Sequence, residues 1–322
     1  MDRHRARGRR ARPSRRKPLL YTVVASAVLV GATAAGTVYM KAQAHDGPVV
    51  VSSAASASAS PSSSPAAGEE ASVKPVAEPS VDRDALLAKA LKTVTLADGA
   101  KTAVAVLDLD SGESAAYGDT AFDTASIVKV NILATLLLQA QDADRHLTAQ
   151  EKTYATAMIE NSDNASATAL WTAIGRADGL DTANKRFGLT DTQGGDGELW
   201  GLTQTTASDQ LALLRQVFGD DSKLSDASRS YLQGLMGKIE TDQRWGVSAA
   251  ADGSRWALKN GWLARSTTGL WDVNSIGRIS ADGHDYLVAA LSNGNSTQAK
   301  GISLVEAVAK AALSAFQDPV ED

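Results

Sequence analysis

From Phe122 to Leu138 the chain runs almost without interruption through apolar residues, and after Ser126 only Lys129, Asn131 and Thr135 break the pattern. A helix that is apolar on nearly every face has to be enclosed by protein, so this stretch predicts a central core helix. Asp123 and Thr124 are suited to cap it, which puts Ser126 in the first turn, where free backbone N–H groups and the positive helix end favour negative charge. Lys129 follows one turn later on the same face. A lysine inside an apolar helix is costly unless it is paired or loses its proton, and in either state it is a candidate partner for the serine hydroxyl.

Around that helix the periodicity predicts a helix over Val81–Leu91 capped by Ser80 or Asp82, and a β-hairpin from residues 102–109 and 114–117 turning at Asp110-Ser-Gly-Glu113. Residues 149–160 and 165–175 are helical, separated by Asn161-Ser-Asp-Asn164, and further helices cover 205–218 and 225–239. Strand patterns occupy 255–263, 271–280 and 285–293 before a final helix over 296–316. No internal repeat is visible. The order predicts an α+β fold: one antiparallel sheet built from both ends of the chain and packed with helices, plus an all-helical subdomain from the middle.

The first 79 residues have a different character. Residues 1–18 form a basic, cytoplasmic tail with eight arginines and Lys17 against Asp2, and residues 19–40 carry no charge, a length sufficient to span a bilayer. Ala42-Gln43-Ala44 has the small-x-small spacing of a signal-peptidase site, whereas an apolar run this long favours an uncleaved anchor. Both routes put the rest of the chain outside the cytoplasm, as a single-pass membrane protein or as a secreted one cut near Ala44. Residues 41–79 are dominated by Ala, Ser, Pro and Val and predict a disordered tether, leaving residues 80–322 as the globular domain.

Charge narrows the function further. Removing the tail's net +8 from the chain's −5 leaves −13, which argues against nucleic acid as a partner. There is no cysteine, so disulfides, thiolate catalysis and cysteine-ligated metals are excluded. His4, His45, His146 and His284 are scattered over the tail, the tether and turn-like stretches; their spacing shows no metal cluster and no Ser-His-Asp arrangement. No cofactor is expected. Five of the six tryptophans are expected in the core, Trp262 at the edge of a cleft beside Lys259, and Arg265 and Arg278 at the surface, with carboxylate binding the alternative for each.

Three short motifs then fall in order. Ser126-Ile-Val-Lys129 matches Ser-x-x-Lys, Ser162-Asp-Asn164 matches Ser-Asp-Asn in a loop between helices, and Lys259-Asn-Gly261 on a strand resembles Lys-Thr-Gly. With Met158-Ile159 before Ser162 and Thr205-Thr206 opening a later helix, residues 82–316 resemble the penicillin-recognising serine hydrolases, most nearly the class A β-lactamases. The resemblance implies a monomeric serine hydrolase that acts by an acyl-enzyme. Ser126 would be its nucleophile, Lys129 its base or the charge that makes another base effective, Ser162 the proton shuttle to the leaving nitrogen, and Lys259 the charge that orients Ser162 and faces a substrate carboxylate. Asn164, Asn260, Gly261 and Trp262 would bind substrate, with the backbone N–H groups of Ser126 and Trp262 as the oxyanion hole, and Asp163 would hold its loop.

Two departures bear on the reaction. Asn260 replaces the usual threonine or serine of the third motif, which puts carboxylate recognition in question. In class A enzymes a Glu-x-x-Leu-Asn pattern supplies the deacylating base; here Glu198 is present, but its leucine comes one position late and the asparagine is missing. Hydrolysis of β-lactam bonds is therefore one expectation. The others are a D-alanyl-D-alanine peptidase or penicillin-binding protein acting on peptidoglycan stem peptides, and a non-catalytic sensor of wall fragments or antibiotic.

Overall fold

The structure is a computed structural model and describes residues 81–317 apart from Asp98. The basic tail 1–18, the apolar segment 19–40 and the tether 41–79 lie outside the described residues. Among the described residues no helix is long and apolar enough to cross a membrane.

In chain order the elements are α1 (Arg83–Leu91), β1 (Lys101–Asp108), β2 (Ser114–Tyr117), the two-residue β3 (Phe122–Asp123), a 3₁₀ turn (Ala125–Ile127) running into α2 (Val128–Asp142), α3 (Ala149–Glu160), α4 (Asn164–Ala173) and α5 (Arg176–Phe187). There follow β4 (Gln204–Thr205), α6 (Ala207–Phe218), α7 (Asp226–Met236), β5 (Trp256–Ala264), β6 (Trp271–Ala281), β7 (His284–Asn295) and α8 (Gln298–Gln317). The sheet is antiparallel with strand order β2-β1-β7-β6-β5, so both ends of the chain meet where β1 pairs with β7. The α+β class, with its sheet shared between the two ends, is the one expected.

The sheet separates two cores, and strand alternation decides which residue enters which. Ala103, Ala105 and Leu107 of β1 pack with α2, α4, α6 and α7, whereas Val104 and Val106 pack with α1 and α8. The same parity runs along β5, where Ala257 belongs to the first core and Leu258 to the second. α2 is enclosed as expected: Ile132, Leu133, Leu136 and Leu138 are all but inaccessible, and each contributes about 1.5–3 kcal/mol of transfer free energy. Its interior polar side chains are satisfied locally, Asn131 Nδ2 donating to Asn184 Oδ1 at 2.8 Å.

α1 is capped by Asp82, whose carboxylate accepts from Ala85 N at 2.9 Å. The expected capping of the central helix is not found. Neither Asp123 nor Thr124 caps it: the helix opens as a 3₁₀ turn without a side-chain cap, and Thr124 Oγ1 is buried without a hydrogen-bond partner. Asp123 instead accepts from Gln204 and pairs with Arg265. α5 was not anticipated from the sequence. It is bounded by Gly175 and Gly188, both in left-handed backbone, and buries only Leu180, Ala183, Asn184 and Phe187.

Candidate active site

Two backbone irregularities frame the site. Ala125, next to Ser126, has φ +48°, and Ser162 has φ +56°, so among the described residues two of the five non-glycine residues with positive φ adjoin or belong to the motifs. Such conformations cost about 1–3 kcal/mol each and persist only where the surroundings enforce them. The enforcement is visible on both sides. Asn274 Nδ2 of β6 donates to the carbonyls of Asp123 and Thr124 at 2.9 and 3.1 Å, holding the chain that enters the Ser126 turn. Asp163 caps α4 by accepting from Ser166 N at 2.7 Å, and hydrogen bonds from Ser166 hold its carboxyl below the ordinary range.

Gly261 brings the third motif to the first. A Cβ at this position would lie 2.7 Å from Ser126 N and 2.8 Å from Ile127 N, so β5 can pass against the Ser126 turn only because the residue is glycine. Trp262, the next residue, lines the cleft together with Ser126, Asn164, Glu198 and Trp200, around a space of about 570 Å³.

The polar centre is Ser162. Lys129 Nζ donates to Ser162 O at 2.6 Å, to Ser162 Oγ at 3.1 Å and to Asn164 Oδ1 at 2.8 Å. Lys259 Nζ donates to the same Ser162 Oγ at 3.0 Å and to its neighbour's carbonyl, Asn260 O, at 2.9 Å. Both lysines are fully buried, and two ammonium groups sharing one hydroxyl cannot both keep their charge cheaply. Burial lowers Lys129 to about 7 against the opposing pull of Asp163, and lowers Lys259 well below its ordinary value, with Lys129 adding to that shift. The Trp200 ring lies 5.0 Å from Lys129 Nζ and its indole N–H donates to Thr168 Oγ1 at 3.1 Å.

The structure thus brings Ser162, Asn164, Lys129 and Lys259 into one hydrogen-bonded group beside Ser126, Gly261 and Trp262. No described hydrogen bond joins Lys129 to the Ser126 hydroxyl. Two expected residues stand apart. Asn260 does not reach the cleft: strand parity places it opposite Lys259, where its buried amide donates to Gln243 O at 2.7 Å and Trp245 O at 2.9 Å. Glu198 stands on the rim, half exposed, with its carboxylate paired at 2.7 Å to the equally exposed Arg176. Trp200, rather than a carboxylate, covers Lys129.

Sequence reading missed Asn274 and Thr168, expected Trp200 in the core, and favoured a surface place for Arg265 over a carboxylate-binding one. Arg265 in fact lines the cleft and pairs with Asp123. Beside that pair, burial and then the Asp123 charge raise the Asp272 carboxyl to about 7. None of these residues lies in a recognisable motif.

A sheet with helices on both faces, with a buried Ser-x-x-Lys helix, a Ser-Asp-Asn loop and a Lys-x-Gly strand meeting at one cleft, defines the class of β-lactamase-like proteins. The profile of the Beta-lactamase enzyme family matches residues 86–155 and 143–316, and the chain belongs to that family. Among solved structures, it is similar to PBP-A, with 21% identity and a TM-score of 0.62 over 72% of this chain and 96% of that one. It is also similar to a β-lactamase from Xanthomonas campestris pv. campestris, with 22% identity and a TM-score of 0.58 over 73% and 97% of the two chains. The TLA-1 extended-spectrum β-lactamase gives 17% identity and a TM-score of 0.63 over 73% and 98%. At these identities the likeness shows the fold. The proteins called LppW in Mycobacterium tuberculosis and Mycobacterium bovis, which bear the designation of lipoprotein, are 26% identical over 175 residues, 51% of this chain and 55% of theirs. The chain spans about half the length of these curated relatives.

Proposed function

We propose that this chain is an extracytoplasmic serine hydrolase of the penicillin-binding kind, acylated at Ser126 by β-lactams and by the D-alanyl ends of wall peptides, and that its acyl-enzyme is long-lived. The observation that carries this reading is the Ser162 hydroxyl held between the side-chain nitrogens of Lys129 and Lys259, at 3.1 and 3.0 Å, with Asn164, a further partner of Lys129, lining the same cleft as Ser126. In the reaction Ser126 Oγ attacks the amide carbonyl while neutral Lys129 takes up its proton, directly or through Ser162. Ser162 then delivers a proton to the leaving nitrogen, and the N–H groups of Ser126 and Trp262 bind the developing oxyanion. Lys259 keeps Ser162 oriented, and Asn164 presents its amide to the ligand's side chain.

The slow second half follows from what surrounds Lys129. Its partners are Ser162, Asn164 and the Trp200 face, while Glu198 is committed to Arg176. A general base must lie within hydrogen-bond reach of its proton or one water away, and no described carboxylate bonds to Lys129 or Ser126. A variant of the PBP-A relative forms an acyl-enzyme complex with penicillin G, which fits this reading. Turnover of β-lactams is the second reading, favoured by the place of Glu198 on the cleft rim.

The protein acts as a monomer held in the cell envelope. The chain contains no cysteine on which a lipid could be mounted, so the uncharged segment 19–40 is the means of attachment that its sequence offers. Labelling by a fluorescent penicillin tests the assignment: the wild-type chain takes up the label and Ser126→Ala does not. Equal labelling of both would overturn it.

A further inference from the structure

The cleft has a smaller neighbour, a space of about 380 Å³ lined by Asp123, Arg265, Thr267, Asp272 and Asn293 among others. Arg265 and Thr267 line the cleft as well, so the two spaces share the segment that follows β5. Asp272 stands where the pairing of β6 with β7 slips, between Trp271 and Val273. Irregularities of this kind re-aim a side chain.

The Asp272 carboxylate lacks what its neighbour has. Asp123 accepts from Gln204 on one oxygen and from Arg265 on the other. Asp272 is only 5% exposed and faces the space, yet among the described residues no donor bonds to its side chain. Its nearest ionisable neighbours are the Asp123 carboxylate and the Arg265 guanidinium, and that guanidinium is committed to Asp123. Burying a carboxylate without a donor is expensive. Burial first, then the Asp123 charge, accordingly hold the Asp272 carboxyl up at about 7.

We propose that this space is a subsite for a primary ammonium group carried by the acyl donor, with Asp272 as its counter-ion. The proposal rests on the reading of the cleft as an acylation site for wall peptides, and it narrows the substrate class to peptides with a diamino residue ahead of the D-alanyl end. One ammonium matches the single negative charge that Arg265 leaves unbalanced, and it brings three donors to a wall that lacks them. A divalent cation would meet the neighbouring guanidinium and be repelled by it. Thr267 and Asn293 add oxygen acceptors on the same walls. The reach agrees as well. Trp262, to whose N–H the oxyanion is assigned, precedes Arg265 by three residues, roughly 10 Å of strand. A lysine-like residue directly before D-alanyl-D-alanine sets its ammonium one peptide unit, about 3.8 Å, and a four-carbon stem away from the scissile carbonyl, a comparable length.

The test compares two peptides, Nα-acetyl-L-lysyl-D-alanyl-D-alanine and the same peptide with its side-chain amine acetylated. Their binding is measured by calorimetry on the full chain carrying Ser126→Ala, which removes acylation from the readout. The free amine is expected to bind at least tenfold more tightly, and Asp272→Asn in the same background is expected to bring the two peptides within twofold of each other. The first comparison leaves Asp272 in place, so it holds however the Asp272→Asn chain folds. Equal affinities, no binding of either peptide, or a preference that survives Asp272→Asn would overturn the subsite. Labelling of the wild-type chain by benzylpenicillin, which carries no ammonium, reads acylation separately. Labelling at Ser126 together with equal peptide affinities would remove the subsite and leave the functional reading standing, whereas no labelling would remove the reading on which the subsite rests.

Discussion

Raising the pH from 6 to 8 should accelerate acylation of Ser126 about tenfold. Lys129 is lowered by burial to about 7, so its neutral, proton-accepting form grows from about a tenth of the population at pH 6 to about nine-tenths at pH 8. Lys129→Met should remove this dependence along with about 10²–10⁴ of the rate. The same displacement is a stability statement. The unfolded chain holds the Lys129 proton up to its ordinary value of 10.5, whereas the folded chain releases it near 7. Between those limits the unfolded state binds more protons, so stability rises with pH. The penalty of the buried charge is complete below pH 7 and gone above 10.5. At about 1.4 kcal/mol per unit, the shift sets an upper limit of roughly 5 kcal/mol. The advantage of Lys129→Met over the wild type in urea denaturation should therefore be large at pH 6 and shrink by pH 10. Acylation rates from rapid-quench labelling at the two lower pH values complete the test. A flat rate between pH 6 and 8, together with a pH-independent stability difference, would refute the reasoning.

Other variants separate the parts of the site. Gly261→Ala drives a Cβ to 2.7 Å from Ser126 N; it should cost about 1–3 kcal/mol of stability and, by displacing an oxyanion donor, about 10²–10³ in acylation rate. Asn260→Ala removes two buried hydrogen bonds and should lower the urea midpoint by the equivalent of about 1–3 kcal/mol while leaving the concentration dependence of acylation unchanged; a selective loss of affinity for carboxylate-bearing ligands would return Asn260 to the cleft. Arg176→Ala frees a Glu198 pair that is half exposed on both sides, so stability should change by less than about 1 kcal/mol and deacylation should not slow. Leu199, 56% exposed in the cleft wall beside Trp200 and Trp262, should favour apolar acyl side chains, so Leu199→Ser should slow acylation by benzylpenicillin more than by 6-aminopenicillanic acid.

What could be seen in the sequence was what depends on local pattern. The apolar runs of α2, β1 and β5–β7, and the loop between α3 and α4 announce themselves because burial leaves its mark on the residues that undergo it. α5 is nearly silent, since it turns only Leu180, Ala183, Asn184 and Phe187 inward and carries Gly179 in its middle, where a Cβ would meet Ile174 O at 1.7 Å. The candidate site divides the same way. Ser126, Lys129, Ser162 and Lys259 lie in motifs that keep their spacing, whereas Trp200 and Asn274 owe their roles to how separate elements stack. Asn260 shows a reading in which the motif was followed and the strand was not: a period of two from Lys259 already turns the next side chain to the α8 face. The Thr124 cap failed because the chain enters α2 through a 3₁₀ turn held by Asn274 and Asp123, contacts made across more than 140 residues.

The most direct test of the central claim is intact-mass spectrometry of the chain mixed with benzylpenicillin, followed for hours alongside Ser126→Ala. The account predicts an adduct of the whole penicillin that forms only when Ser126 is present and persists. An adduct on the Ser126→Ala variant, or none on the wild type with either penicillin or a D-alanyl-D-alanine peptide, would contradict it.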